Sequence, residues 1–101
     1  MAIISVARFA LDGARFQQAL ENVKVAKKVF MSKGAEHVFW GNILAGVHPG
    51  EWVLMIHYPD LATMEKAFAA AMGDADFAKR FLDPDPPAKL TGRSIITLTD
   101  V

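Results

Sequence analysis

The chain predicts a single α+β domain over residues 1–101, with element order βαββαβ, one four-stranded antiparallel sheet and the helices on one of its faces. Three observations predict it. Strand-like and helix-like segments alternate, with Gly, Pro and Asp turn signals between them. Each helical segment carries one apolar stripe and therefore needs one covering layer. A length of 101 residues accommodates one conventional core and no second.

Residues 2–11 (AIISVARFAL) are rich in β-branched and aromatic types and read as the first strand. Asp12-Gly13 then opens a helix, with Asp12 as N-cap and Phe16, Ala19, Leu20, Val23, Ala26 and Phe30 along one face. Gly34 is its C-terminal stop. Lys24, Lys27, Lys28 and Lys33 crowd the second half, where cations suit the helix dipole. Residues 36–45 and 51–58 read as two strands of a hairpin around Gly46-Val47-His48-Pro49-Gly50. Pro59-Asp60 ends the second of them. Asp60 caps a helix whose inward stripe is Leu61, Met64, Phe68, Ala71 and Met72. Gly73-Asp74 interrupts that helix, and residues 75–82 form a short further one with Phe77 and Phe81 inward. The run DPDPP at 83–87 is neither helix nor central strand, so it is a rigid connection. Residues 90–99 give the last strand.

Composition excludes several classes. The chain is 52% hydrophobic and 22% charged, with 11 Lys and Arg against 11 Asp and Glu, which is not the composition of a disordered chain. There is no basic excess to draw in nucleic acid. The absence of cysteine removes a disulfide scaffold, a thiol nucleophile and a Cys-based zinc site. No stretch approaches the roughly 20 apolar residues of a membrane span. No basic residue precedes the apolar start, so the expectation is a cytoplasmic protein with neither membrane nor nucleic-acid partners. Counted with Gly and without Tyr, the apolar share is about 58%, against about 45–50% in ordinary domains. In so small a domain that excess points to a subunit interface.

The strands strengthen this expectation. If Gly46 pairs with Glu51 across the hairpin, one sheet face carries Val38, Trp40, Asn42, Leu44, Val53, Met55 and His57. The other carries His37, Phe39, Gly41, Ile43, Trp52, Leu54, Ile56 and Tyr58. Both are too apolar to face water. Helices cover one, and a second copy of the chain covers the other, giving a homodimer through the sheet face.

Three local sequences sit at the junctions of this pattern: Tyr58-Pro59-Asp60-Leu61 leading into a helix, Asp74-Ala75-Asp76-Phe77 at a turn, and Leu90-Thr91-Gly92-Arg93-Ser94 entering the last strand. With them, the whole chain resembles the dimeric α/β-barrel superfamily, whose ferredoxin-like subunits press their sheets together. Within it the chain looks closest to the NIPSNAP-like and antibiotic-biosynthesis-monooxygenase-like groups. The resemblance implies a ferredoxin-like dimeric α/β barrel. The superfamily includes cofactor-independent oxygenases, haem-degrading enzymes, cyclases, isomerases and decolorising peroxidases, and a shared fold does not choose among them.

The common nucleophile, phosphate-loop, zinc and dinucleotide motifs are missing. No cofactor is expected, and no metal either, because the assumed register puts His37 and His57 on opposite faces and His48 in the turn. The same register groups Trp40, Asn42 and His57. There His57 would serve as general base, Asn42 as oxyanion donor and Trp40 as a platform for a substrate ring. Met55 on that face, Tyr58 at the strand end and Arg8 complete the candidate substrate-binding set. The resemblance implies an Asn, Trp and His set for oxygenase chemistry, yet the first strand offers Ser5 and Arg8 and no Asn. Arg8 and Arg93 either pair with Glu36, Asp60 or an acid of the partner subunit, or one of them anchors an anionic substrate. Trp52 reads as packing, and Met31, Met55, Met64 and Met72 as core filler.

Two functions follow. In one, the chain is a metal-independent monooxygenase or isomerase acting on an aromatic or polyketide-like compound in an apolar pocket between sheet and helices. In the other it binds a small molecule or a partner without chemistry, and the conspicuous side chains build the dimer.

Overall fold

The computed structural model describes all 101 residues. They form β1 (Ile3–Leu11), a 3-10 turn (Gly13–Arg15), α1 (Phe16–Ser32), β2 (His37–Asn42), β3 (Trp52–Tyr58), α2 (Leu61–Met72), α3 (Ala75–Phe81) and β4 (Ala88–Thr97). One antiparallel sheet runs in the order β2-β3-β1-β4, the ferredoxin-like arrangement expected from the element order.

Local chemistry explains where the elements begin and end. The carboxylates of Asp12, Asp60 and Asp74 accept from the backbone N–H groups of Ala14, Thr63 and Phe77, each relieving an orphan donor. Asp12 caps the 3-10 turn, and α1 itself starts later, at Phe16. Gly34 turns the chain after α1 with φ +115°, and a Cβ there would meet Thr63 Cγ2 at 2.8 Å. That close approach brings the α1–β2 corner against α2. The DPDPP connection is clamped to the β1–α1 corner. Arg15 donates to the Asp85 and Pro86 carbonyls, the Asp12 N–H donates to the Pro87 carbonyl, and Pro87 is fully buried. A bulge between Arg8 and Phe9 leaves Thr91 as the extra residue of β4, since Arg8 pairs with Gly92 and Phe9 with Leu90.

The β2–β3 hairpin differs from the sequence expectation in a way that matters for the site. Trp40 pairs with Leu54, Asn42 with Trp52, and His57 with His37, three residues away from the assumed register. The physical cause is the connection. Gly46, His48 and Gly50 all adopt positive φ, so the loop consumes more chain than a tight turn and β2 stops at Asn42 instead of Ala45. Hydrogen bonds from Ile43 N–H to the Glu51 carbonyl and from Gly50 N–H to the Ile43 carbonyl close it. An odd shift exchanges the faces of one strand relative to the other. His37 and His57, expected on opposite faces, therefore lie side by side. Ile56, expected to share a face with Phe39, points the other way.

The core sits between the sheet and the helices. Ala26, Val29 and Phe30 of α1, Ala67 and Ala71 of α2 and Phe77 of α3 bury against Val38, Ile56 and Tyr58 of the sheet. The opposite sheet face carries Ile4, Val6, Phe39, Val53, Met55 and Ile96 by strand alternation, and no element of the chain covers it. The result is a slab of 39 × 36 × 17 Å. Its accessible surface is 6296 Å², about 700 Å² more than the roughly 5,600 Å² expected for a compact monomer of this mass.

Candidate functional site: a cavity between sheet and helices

Small residues on the central strand and on α1 leave a cavity of about 460 Å³ between the two layers. Ser5 and Ala7 of β1 form its floor, facing Ala19 and Ala26 of α1. Larger side chains at those four positions would close it. Its walls are aromatic. Phe30 meets Phe77 edge-on at 5.3 Å between ring centroids, Phe77 stacks on Phe81 at 5.8 Å, and Phe68 meets Phe81 at 5.7 Å. Such pairs hold their rings at fixed angles and give the cavity a defined shape.

Its polar groups are few. Ser5 and Tyr58 are buried, and neither hydroxyl takes part in a hydrogen bond within the chain. Burial pushes the Tyr58 hydroxyl up to about 12, with the Arg93 charge acting weakly in the opposite direction. Tyr58 is therefore a protonated donor at neutral pH. Asn22 also lines the cavity but accepts from Arg80 at 2.8 Å, and Arg80 in turn bonds Asp76. Arg93 and Glu65 contribute charge from solvent-exposed positions, and the Arg93 guanidinium lies 5.9 Å from the centre of the Phe68 ring.

Two of the six residues singled out from the sequence, Trp40 and Tyr58, line this cavity. Trp40 stacks on Trp52 at 5.4 Å and tilts against Phe9 at 5.8 Å, and its indole N–H is buried without an acceptor. Trp52 itself packs on Phe16, as its expected role required.

The other four lie elsewhere. His57 is half-buried on the uncovered face, edge-on to His37 at 5.7 Å and to Phe39 at 5.6 Å. No third ligating side chain joins the two imidazoles. Asn42 is exposed at the end of β2, and its Nδ2 donates to the Gly50 and Glu51 carbonyls at 3.2 and 3.3 Å. Its amide donors thus hold the hairpin loop and do not face an oxyanion. Met55 pairs with Val6 and Phe39 on the uncovered face. Arg8 lies on that face too, crossing over Gly92, with its Nε 3.6 Å from Glu51. The grouping of Trp40, Asn42 and His57 into one site is therefore not formed, because the sheet separates the imidazole from the indole. Neither arginine pairs with Glu36 or Asp60: Arg8 takes Glu51, and Arg93 has no carboxylate within ion-pair distance.

The sequence reading missed the cavity floor. Its signal is the Ser5 and Ala7 alternation on a central strand, set against alanines on the facing helix. The phenylalanines of the wall read equally well as ordinary core stripe.

The fold and site define an α+β protein of the ferredoxin-like type with an apolar sheet–helix cavity. Residues 2–97 match the model of a domain of unknown function, DUF6854, and the chain belongs to that family. No curated protein matches it. Among solved structures it is similar to SnoaB of Streptomyces nogalater, described as a cofactor-independent oxygenase. The TM-score is 0.71 at 14% identity, covering 99% of this chain and 95% of that one. A putative antibiotic biosynthesis monooxygenase of Deinococcus radiodurans gives 0.69 at 14% identity, covering 98% and 94%. An uncharacterised NIPSNAP-like domain protein of Burkholderia xenovorans gives 0.62 at 13% identity, covering 99% and 85%. At these identities the likeness establishes the fold, in agreement with the superfamily resemblance drawn from the sequence. No helix of the chain is long and apolar enough to cross a membrane.

Proposed function

We propose that the chain binds a small, largely apolar molecule in the sheet–helix cavity and works as a homodimer joined through the uncovered sheet face. The observation that carries the binding reading is the aromatic-walled cavity of about 460 Å³, into which Ser5 and Tyr58 bring hydroxyls free of intrachain hydrogen bonds. That size, apolar lining and small number of polar groups are those of ligand sites. The dimer reading rests on area. The surface excess of about 700 Å² is close to the roughly 800 Å² that each partner loses in a standard interface.

The geometry favours binding over proton abstraction. Both strand imidazoles lie on the far side of the sheet, and Tyr58 holds its proton at neutral pH. A second reading, metal-independent oxygenation or isomerisation of an aromatic compound, draws its support from the fold shared with the S. nogalater oxygenase. In that reading the exposed Glu65 carboxylate is the only acid lining the cavity that could accept a proton.

A thermal-shift screen against phenols, quinones, fatty acids and haem tests the proposal, with Ala7→Leu as the cavity-filling control. A compound at 100 times its Kd adds about 2.7 kcal/mol, a shift of roughly 10 °C or more in a domain of this size. The expected result is a stabilising compound whose effect Ala7→Leu removes and His57→Ala leaves intact. Stabilisation that survives Ala7→Leu would place the site outside the cavity. Oxygen uptake with the same compound separates turnover from binding.

A further inference from the structure

We infer that the ligand of this cavity carries a carboxylate, held at the mouth by the Arg93 guanidinium with the Tyr58 hydroxyl as second donor. The inference rests on the reading of the cavity as a ligand site and adds the chemistry of the ligand's polar end.

All but one of the arginines lie beside acids. The chain has four. Arg8 sits beside Glu51, Arg15 is paired with Asp12 and Asp85, and Arg80 is paired with Asp76. Arg93 alone has no acidic partner, and it is the one that lines the cavity with its charge uncommitted. Arg93 is also placed against the cavity wall. A guanidinium at a strand edge is free to swing into water, but this one lies over the Phe68 ring, a wall residue. Contact with the ring face favours the charge at the mouth while leaving its N–H fork open, and that fork matches the two oxygens of a carboxylate.

The cavity holds a second donor. Tyr58 lies in the same lining, and its hydroxyl has no hydrogen-bond partner within the chain. A phenol hydroxyl donates to an anion or accepts from an ammonium group, so the choice between the two falls to the uncommitted Arg93 charge. Glu65 is the opposing consideration, since it lines the same cavity and bears the opposite charge. It is exposed on α2 and makes no ion pair with Arg93, so the Arg93 charge is not neutralised. Behind this mouth the cavity is apolar and aromatic, so the rest of the ligand is a hydrocarbon body, and small hydrophilic acids do not fill it.

Calorimetric titration of the full chain with 2-naphthoate, 2-naphthol and 2-naphthylmethylamine tests the inference, because the three share one body and differ in the polar group. Naphthoate is expected to bind about tenfold more tightly than the amine, and Arg93→Gln to weaken naphthoate about tenfold while leaving naphthol unchanged. Raising the salt should weaken naphthoate alone. Equal binding of all three, or naphthoate binding indifferent to Arg93→Gln, overturns the carboxylate inference while leaving the cavity reading in place. Tighter binding of the amine overturns it as well and assigns the anchor to Glu65. If none of the three binds, the cavity reading falls together with the inference.

Discussion

Replacing Phe39 by Asp puts a charge on the uncovered sheet face, and the magnitude of its effect follows from the structure. Phe39 is 49% exposed in the single chain. A phenylalanine has about 200 Å² to bury, so covering the remainder removes about 100 Å² from water and contributes about 2.5 kcal/mol. Two-fold symmetry counts the residue twice, about 5 kcal/mol per dimer, or three to four orders of magnitude in Kd. The buried carboxylates add to that penalty. Sedimentation velocity across a concentration series should show wild type as a dimer and Phe39→Asp as a monomer, still folded by circular dichroism but with Tm lowered by the lost association. Ile56→Asp is the matched control on the other side of the same sheet. Ile56 is 6% exposed within the core cluster, so an unpaired carboxylate there should cost more than about 4 kcal/mol and unfold much of the population. The assignment of faces fails if Phe39→Asp dimerises with the wild-type constant, or if Ile56→Asp folds normally. A wild-type chain that is monomeric at high concentration refutes the interface itself.

Three further outcomes follow from local geometry. The Thr63 backbone N–H, and then its hydroxyl, hold the Asp60 carboxyl below the usual carboxylate range, so its stabilisation is full above the unfolded value and is lost as pH falls through the folded one. Asp60→Asn should therefore flatten the acid limb of a Tm-versus-pH curve with little change at neutral pH, whereas Asp60→Ala should lower Tm by a few degrees throughout. Gly34→Ala should cost about 1–3 kcal/mol in denaturant unfolding, because φ is +115° and the new methyl meets Thr63. Adding Thr63→Ser should recover only the steric part, and full recovery would show that the backbone conformation is unstrained. Asn42→Ala should release the hairpin loop, seen as faster amide exchange at Ile43 and Gly50 and a loss of about 1 kcal/mol, while cavity binding persists. Lost binding in that variant would return Asn42 to the ligand site.

The order of elements was legible because each signal is local. An aspartate placed just before a 3.6-residue stripe caps a helix wherever the rest of the chain goes; Asp60 does so as read, and Asp74, read only as an interruption, caps the next helix as well. DPDPP excludes regular structure by its own covalent geometry, although its anchoring by Arg15, 70 and 71 residues away in the chain, was not visible. Arg93 was half legible: an arginine in a strand must pair or bind, but only the folded surroundings show that no acid reaches it.

The register of the hairpin was not legible, and the reason lies in the composition. A register is specified by sequence when one face is apolar and the other polar, because a slip then exposes the wrong side chains. In β2 and β3 both faces are apolar, so the alternation is equally satisfied by either parity. The choice fell to the loop, where left-handed residues at Gly46, His48 and Gly50 set how many residues the turn consumes. That choice put His57 beside His37 and left Trp40 with the cavity. Fold class, element order, the Asp60 cap and the surplus of apolar surface could be read from the chain because each depends on composition and on sequence neighbours. Which side chains share a face, and where two packed layers fail to fill the space between them, depend instead on residues brought together across strands and between layers.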